Sequence, residues 1–210
     1  MMDFNFVVSQ LKELKNKPLA GASAHNRVMD LNVRRQIFED VNHKHSAKQA
    51  AVLALIYPDE HQRARMVFIL RKTYNGAHSG QIAFPGGKME KIDTSLQETA
   101  LRETQEEIGI EPDIIQIQRA LSPIFIPISN YKVQPFLGLA HQTLTFKPDP
   151  VEVDRIFEMR FKDILKSNLT PLQHSYFGKN YTLHAFDVKN IKIWGATAMI
   201  LSEIVHLFNE

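Results

Sequence analysis

The stretch GKMEKIDTSLQETALRETQEEIGI, residues 87–110, decides how this chain is read. Its second half predicts a helix over about residues 95–108. Thr94 with Gln97, and Ser95 with Glu98, both stand at capping-box spacing, which marks a helix start. Gly109 stops the helix and Pro112 prevents its continuation. On such a helix Glu103, Glu106 and Glu107 occupy i, i+3 and i+4, an arc about 100° wide. Three carboxylates on one arc repel one another unless a cation sits among them, and hard oxygen ligands suit magnesium or manganese. Arg102, four residues before Glu106, is placed to pair with it. Ala100, Leu101, Thr104 and Ile108 fill the adjoining arc, so Glu103 and Glu107 sit at the boundary with the core, while Glu98 and Gln105 face solvent. An exposed helix laced with ion pairs carries similar clusters. The residues upstream favour the metal: Pro85-Gly86-Gly87-Lys88 supplies paired glycines that let backbone approach a ligand, and Asp93 lies at the helix entrance.

Outward from this segment the texture is that of short strands. Ala50 to Ile56 is a buried strand ended by Pro58-Asp59, and Met66 to Arg71 is a second, rich in β-formers. Residues 72–87 hold four glycines and one proline, which predicts a shaped loop around the short apolar piece Ile82-Ala83-Phe84. Further strands are expected at 114–121, 123–128, 131–140, 153–160 and 181–188. Phe6, Val7, Leu11 and Leu14 give a helix over 3–15, Val33 to Val41 a short amphipathic turn or helix, and Ala198, Leu201, Val205 and Phe208 a terminal helix over 194–209. The expected class is α/β, a mixed β-sheet between helices with N- and C-terminal helices. One domain over 1–210 is expected, with a core at about 49–190 and a helical N-terminal extension over 1–48.

A composition of 44% hydrophobic and 23% charged residues excludes a fibrous or disordered chain. The formal net charge of +2, without a run of basic residues, argues against nucleic acid as partner. With no cysteine, disulfides, zinc–thiolate sites and thiol nucleophiles are excluded, and a reducing compartment is expected. No run approaches the roughly 18 apolar residues of a membrane span, and the N-terminus lacks the pattern of a secretory signal. The expectation is a cytoplasmic protein without a membrane partner.

The segment from Gly87 to Ile110 resembles the signature of the Nudix hydrolases, matching it at Gly87, Arg102, Glu103, Glu106, Glu107, Gly109 and Ile110. Asp93 stands where that signature has Glu, and eight residues rather than seven separate it from Arg102. Together with Thr99-Ala100-Leu101, this form is similar to the coenzyme A pyrophosphatase-like subgroup. Upstream, Arg71, Gly80 and Phe84-Pro85-Gly86-Gly87 match that subgroup at its spacing, and His78-Ser79-Gly80-Gln81 looks similar to it. Ile69 and Lys72 replace its Thr and Ser, and Gly76 falls where it has a second Arg. Downstream, Val133-Gln134-Pro135-Phe136 and Ile193 to Ala198 are similar as well, so the likeness spans roughly residues 49–205.

The resemblance implies a Nudix α/β/α sandwich that hydrolyses a nucleoside diphosphate derivative with Mg²⁺ or Mn²⁺. For coenzyme A the products would be 3′,5′-ADP and 4′-phosphopantetheine. It implies Glu103 and Glu107 as metal ligands, Glu106 as a ligand or the group orienting water, the Gly87 carbonyl as a further ligand, and Arg102 as the residue that orients the carboxylates. Glu152 or Glu158 is left as the general base. Arg71, His78 and Lys88 are candidates for substrate phosphates. Arg71 reads equally as a surface cation at a strand end, and His78 as a loop histidine bonded to backbone. Trp194 is expected in the core, with His174 and His184 structural. The expected partner is a small-molecule nucleotide diphosphate, with a homodimer as the default assembly. The alternatives are a Nudix hydrolase of another nucleotide and a non-catalytic nucleotide sensor.

Overall fold

The computed structural model describes residues 2–40, 46–72 and 80–209. The chain opens with three helices: α1 (Phe4–Leu14), α2 (Ala22–Asn26) and α3 (Leu31–Asp40). Then come β1 (Lys48–Pro58), β2 (Ala64–Arg71), β3 (Ile82–Ala83) and β4 (Gly86–Lys88). The acid-rich helix α4 (Leu96–Ile108) is followed by β5 (Ile115–Ala120), β6 (Ile124–Ile126), β7 (Tyr131–Ala140) and β8 (Val153–Arg160). The chain closes with α5 (Phe161–Leu165), β9 (Leu169–Tyr176), β10 (Lys179–Val188), β11 (Ile191–Ile193) and α6 (Gly195–Asn209).

Most of these elements follow the apolar periodicity, and the rest have local causes. Pro112 starts a 3-10 turn over Pro112–Ile114, so β5 begins only at Ile115. The strand expected from 181 starts earlier, at Lys179, because it pairs along its length with β9. β9 itself has no counterpart in the sequence reading. Pro171 lies inside it, which the sheet tolerates because β9 is an edge strand.

Among the described residues the main sheet has the order β3-β2-β1-β7-β5, with β4 joining β1, β6 joining β7 and β8 joining β2. β1 and β7 run parallel, and the other pairs are antiparallel, so the sheet is mixed. α4 covers one face, where Ala100 and Ile108 pack with Leu53, Leu55, Tyr57 and Val67. The other face is covered by α1 and α6 together with the small sheet β11-β10-β9. Burying both faces this way gives two apolar layers, each excluding water from one side of β1.

The N-terminal helices are part of this packing rather than an appendage. Phe4, Val7 and Leu11 of α1 lie in the same buried cluster as Leu201 and Ile204 of α6. Arg119 donates to the carbonyls of Leu14 (2.6 Å) and Lys17 (3.0 Å), satisfying the end of α1. The buried carboxylate of Glu203 accepts from the amides of Gly21 (2.6 Å) and Ser122 (2.8 Å), tying α6 to both.

A split in the sheet prepares the site. β1 and β2 pair only from Ile56–Met66 to Pro58–Ala64. Beyond that point Ala50 to Val52 pair with β4 instead, while Ile69 and Leu70 pair with β3. The divergence leaves an opening floored by Gly86 and Gly87.

Candidate active site

Helix α4 forms one wall of this opening, and its ends are fixed by local chemistry. Ser95 is the N-cap, its hydroxyl accepting from the Glu98 amide at 3.2 Å. The Glu98 carboxylate returns to Thr94, accepting from its amide (2.7 Å) and hydroxyl (2.6 Å). The box is therefore shifted by one residue from the simple reciprocal form. At the other end Gly109 takes a left-handed conformation (φ 72°) and donates to the Gln105 carbonyl. Gln105 is spent on Glu111, at 2.5 Å.

Arg102 organises the helix entrance. Its guanidinium meets Asp93 twice, Nε to Oδ1 at 2.8 Å and Nη2 to Oδ2 at 2.9 Å, and also donates to the Lys88 carbonyl at 3.1 Å. Nη1 reaches Glu103 at 2.9 Å and Glu106 at 2.8 Å. The Arg102 pair, with help from the Glu90 amide and the Thr99 hydroxyl, holds the Asp93 carboxyl well below the usual carboxylate range. The pairing with Glu106 follows from helical spacing. The bidentate pairing with Asp93 does not, because only the loop between them sets its distance.

Glu107 lies deeper, with 1% of its surface exposed. Its Oε2 accepts from the Gly86 amide at 2.8 Å, and its Oε1 lies 3.4 Å from Arg71 Nη1 without a hydrogen-bond partner. Burial pushes its carboxyl up to about 7, against the pull of Arg71 and the Gly86 amide. Burial likewise raises Glu103, with Arg102 opposing. Arg71 is committed here: Nη2 donates to the Gly86 carbonyl at 2.6 Å, so it braces the glycine turn and Glu107 together.

The two glycines are needed for different reasons. Gly86 has φ 149°, and a Cβ there would stand 2.3 Å from the Ala51 carbonyl oxygen. At Gly87 a Cβ would fall 2.3 Å from Glu103 Oε2, so the carboxylate occupies the space that a side chain would fill.

These groups line an open cleft of about 490 Å³. Lys88, Glu106 and Glu152 stand at its polar side, and Val52, Phe84, Ile126, Val133 and Ile200 form an apolar wall. Of the two glutamates considered as base, Glu152 lines the cleft and lies within electrostatic reach of Glu103 and Glu107. Glu158 is turned to Tyr57, accepting its hydroxyl at 2.7 Å, and is not a cleft residue. Lys88 is exposed, 3.6 Å from Glu90. His78 falls outside the described residues. Trp194, expected in the core, is only half-buried and stacks at a tilt on His174, 4.4 Å between centroids.

Among the described residues no three His, Asp or Glu side chains already close on one point as a metal cage. Glu103 and Glu106 instead share Arg102. The donors nonetheless fit a hard divalent cation. All are oxygens, Glu107 carries a buried oxygen without a hydrogen bond, and burial disfavours charge on Glu103 and Glu107 until a cation compensates it. Two residues that the sequence carried only as part of the resemblance, with no role assigned, also build the site. Thr99 bonds Asp93, and Thr197 on α6 donates to the Ile82 carbonyl at 3.0 Å, fastening the cleft's far wall.

A sequence profile of the NUDIX domain matches residues 47–178. Nudix hydrolase 15, mitochondrial, of Arabidopsis thaliana is 33% identical over 161 residues, covering 73% of this chain and 56% of its own length. A Pectobacterium atrosepticum protein named uncharacterized Nudix hydrolase NudL is 33% identical over 161 residues, covering 76% of this chain and 82% of its own. The chain thus spans about half the length of the plant relatives it matches. Among solved structures, the MutT protein of Methanosarcina mazei Go1 superposes with a TM-score of 0.53 at 15% identity, over 80% of this chain and 99% of its own. A MutT/nudix family protein of Enterococcus faecalis gives 0.51 at 15% identity, over 95% of this chain and 74% of its own. At such identity these structures speak to the fold alone.

Proposed function

We infer, from the premise that this chain belongs to the NUDIX domain family, that it is a metal-dependent hydrolase of a nucleoside diphosphate derivative, with coenzyme A or an acyl-coenzyme A as substrate. The observation that carries the reading is the placement of Glu103 and Glu107 on the wall of the cleft, braced by Arg102 and Arg71 against the Gly86–Gly87 turn. Glu103, Glu106 and Glu107, with the Gly87 carbonyl, are the proposed holders of Mg²⁺ or Mn²⁺. When bound, such an ion neutralises the diphosphate and lowers the pKa of a coordinated water.

The protein's own groups supply the rest. Arg102 holds Glu103 and Glu106 by ion pairs, which limits their reorganisation as charge builds on the phosphoryl and leaving-group oxygens. Arg71 opposes, without overcoming, the burial that pushes the Glu107 carboxyl up, and a bound cation would supply the rest of the compensation. Lys88 at the rim is the proposed phosphate contact, and Glu152 the proposed base that accepts a proton from the attacking water. The apolar wall of Val52, Ile126, Val133 and Ile200 suits a substrate whose diphosphate carries a bulky, partly apolar body. Choice of coenzyme A within that class rests on the Asp93 spacing and the Thr99-Ala100-Leu101 sequence. We further propose that residues 1–210 act as one domain, since α1 and α6 share a buried cluster, and that the protein works in the cytoplasm, which a cysteine-free chain suits.

Incubation with Mg²⁺ or Mn²⁺ and a panel of coenzyme A, an acyl-coenzyme A, ADP-ribose, a dinucleotide and a nucleoside triphosphate, followed by product masses, tests this. Release of 3′,5′-ADP and 4′-phosphopantetheine is expected. Intact coenzyme A beside cleaved ADP-ribose would move the assignment to another nucleotide, for which Gly76 in place of Arg already leaves room.

A further inference from the structure

The carbonyls that close a helix have no partner inside it, and at the C-terminus of α4 a distant segment supplies partners. The Lys147 amide donates to the Ile108 carbonyl at 2.9 Å, and the Asp149 amide donates to the carbonyl of Glu107 itself at 3.0 Å. The segment that leads into β8 is thereby moored to the last turn of the helix that carries the acidic arc.

Asp149 then acts a second time, as an acceptor. Its Oδ1 takes the amides of Val151 at 2.7 Å and Glu152 at 2.9 Å, and its carbonyl takes the Val153 amide at 3.0 Å. Pro150 has no amide to donate and a φ restricted by its ring, so every amide from Val151 to Val153 ends on Asp149. Val151 and Glu152 are both exposed, so little apolar burial holds this backbone and the bonds to Asp149 set its course. From the other side the Glu152 carbonyl accepts from the Lys72 amide at 3.0 Å, next to Arg71, which braces Glu107. One residue thus joins the backbone of Glu107, whose side chain reaches the glycine turn, to the backbone of Glu152, which lines the cleft. With both backbones fixed, only rotamer choice is left to set where the two carboxylates stand.

We propose that Asp149 is a positioning residue for the hydrolysis: it holds Glu152 at a set distance from Glu107, so that the Glu152 carboxylate meets the attacking water. The proposal rests on the reading of Glu152 as the base and adds to it the group that decides where that base stands. In the step served, the water gives a proton to a Glu152 oxygen while its own oxygen bonds to phosphorus. The bridging P–O bond breaks, and its electron pair leaves with the departing phosphate. Asp149 is itself not a cleft residue and acts only through Glu152.

Turnover is measured with Mn²⁺ and the nucleotide of the panel above that is cleaved fastest, beside amide hydrogen exchange over residues 151–153. Asp149→Ala is expected to lose about tenfold or more in kcat with KM within about twofold, since a displaced base is felt in the chemistry rather than in binding. Asp149→Asn keeps an oxygen acceptor and should hold kcat within about threefold of the unaltered protein. In the Glu152→Gln background Asp149→Ala should change kcat by less than about twofold, because the group it positions is gone. The Val151 and Glu152 amides should exchange about tenfold or more faster in Asp149→Ala than in the unaltered protein or Asp149→Asn. Should Asp149→Ala not fold, Asp149→Ser, whose hydroxyl still accepts an amide, carries the same comparisons with a smaller loss.

Full kcat in Asp149→Ala, an equal loss in the Glu152→Gln background, no rescue by Asn, or unchanged amide exchange would each overturn the proposal. Glu152→Gln alone separates it from the reading beneath it. A crippled Glu152→Gln beside a fully active Asp149→Ala keeps the base and removes only the positioning. Full kcat in Glu152→Gln, or cleavage of no nucleotide in the panel, removes both.

Discussion

At the scale of single residues, the site depends on which atoms already occupy the space around two glycines. A Cβ at Gly87 meets the far end of the Glu103 side chain, which can swing away, whereas a Cβ at Gly86 meets the backbone of Ala51 and Val52, which cannot. Gly87→Ala is therefore expected to keep its melting temperature within a few degrees while losing most of its metal-dependent turnover. Gly86→Ala should lose about 2 kcal/mol or more of stability, because overpacking and a strained φ act together. Equal loss of stability in the two variants, by urea titration, would sink this distinction. Glu107→Gln keeps the volume and one acceptor for the Gly86 amide, so it should fold and lose roughly two or more orders of magnitude in kcat. Full activity in that variant would remove the metal helix from the mechanism. The glutamates themselves were legible from spacing alone. The commitment of Arg71 to Gly86 and Glu107 was not, because 15 and 36 positions of chain separate it from those partners.

At the scale of elements, α4 is held by its caps as much as by its apolar arc. Ser95→Ala removes the acceptor of the Glu98 amide and should cost about 1 kcal/mol, read as a lowered midpoint in chemical denaturation. No change would mean that the Glu98–Thr94 bonds carry the cap alone. The helix boundaries were visible in the sequence because caps and stop signals are local, and the expected 95–108 differs from Leu96–Ile108 by one residue. Strand β9 was invisible for the opposite reason. Its alternation is half-exposed and interrupted by Pro171, and only pairing with β10 makes it a strand. Edge position is a property of the sheet, and no window of sequence reports it.

At the scale of the whole molecule, the balance of charge sets how stability responds to acid. Burial opposes ionisation of Asp59, but the amides of Arg63 and His61 and the guanidiniums of Arg63 and Arg65 outweigh it and hold its carboxyl well below the usual range. A carboxyl with a depressed folded-state pKa contributes stability that is fully present above its unfolded value, about 3.9, and is lost as pH falls through the folded value. Asp59→Asn should therefore lower stability at pH 7, and the gap to the unaltered protein should narrow below about pH 4. A gap that stays constant to pH 2 would assign the loss to packing. The same scale decides what the N-terminal helices are. Read locally, residues 1–48 form an extension. In the folded chain Arg119 and Glu203 fasten them to β5 and α6.

The sequence by itself determined the elements that close on themselves within a few residues: α4 with its caps, the arc of Glu103, Glu106 and Glu107, the glycine pair, and the family those positions indicate. Helical spacing and capping are short-range geometry, so the chain states them directly. Only the tertiary structure decided which partners meet from distant segments. It separated Glu152, at the cleft, from Glu158, bonded to Tyr57, and it tied Asp149 to the backbone of Glu107. Those choices follow from the divergence of β1 and β2 and from two buried layers that had to pack at once, and such constraints act between residues that the chain keeps far apart.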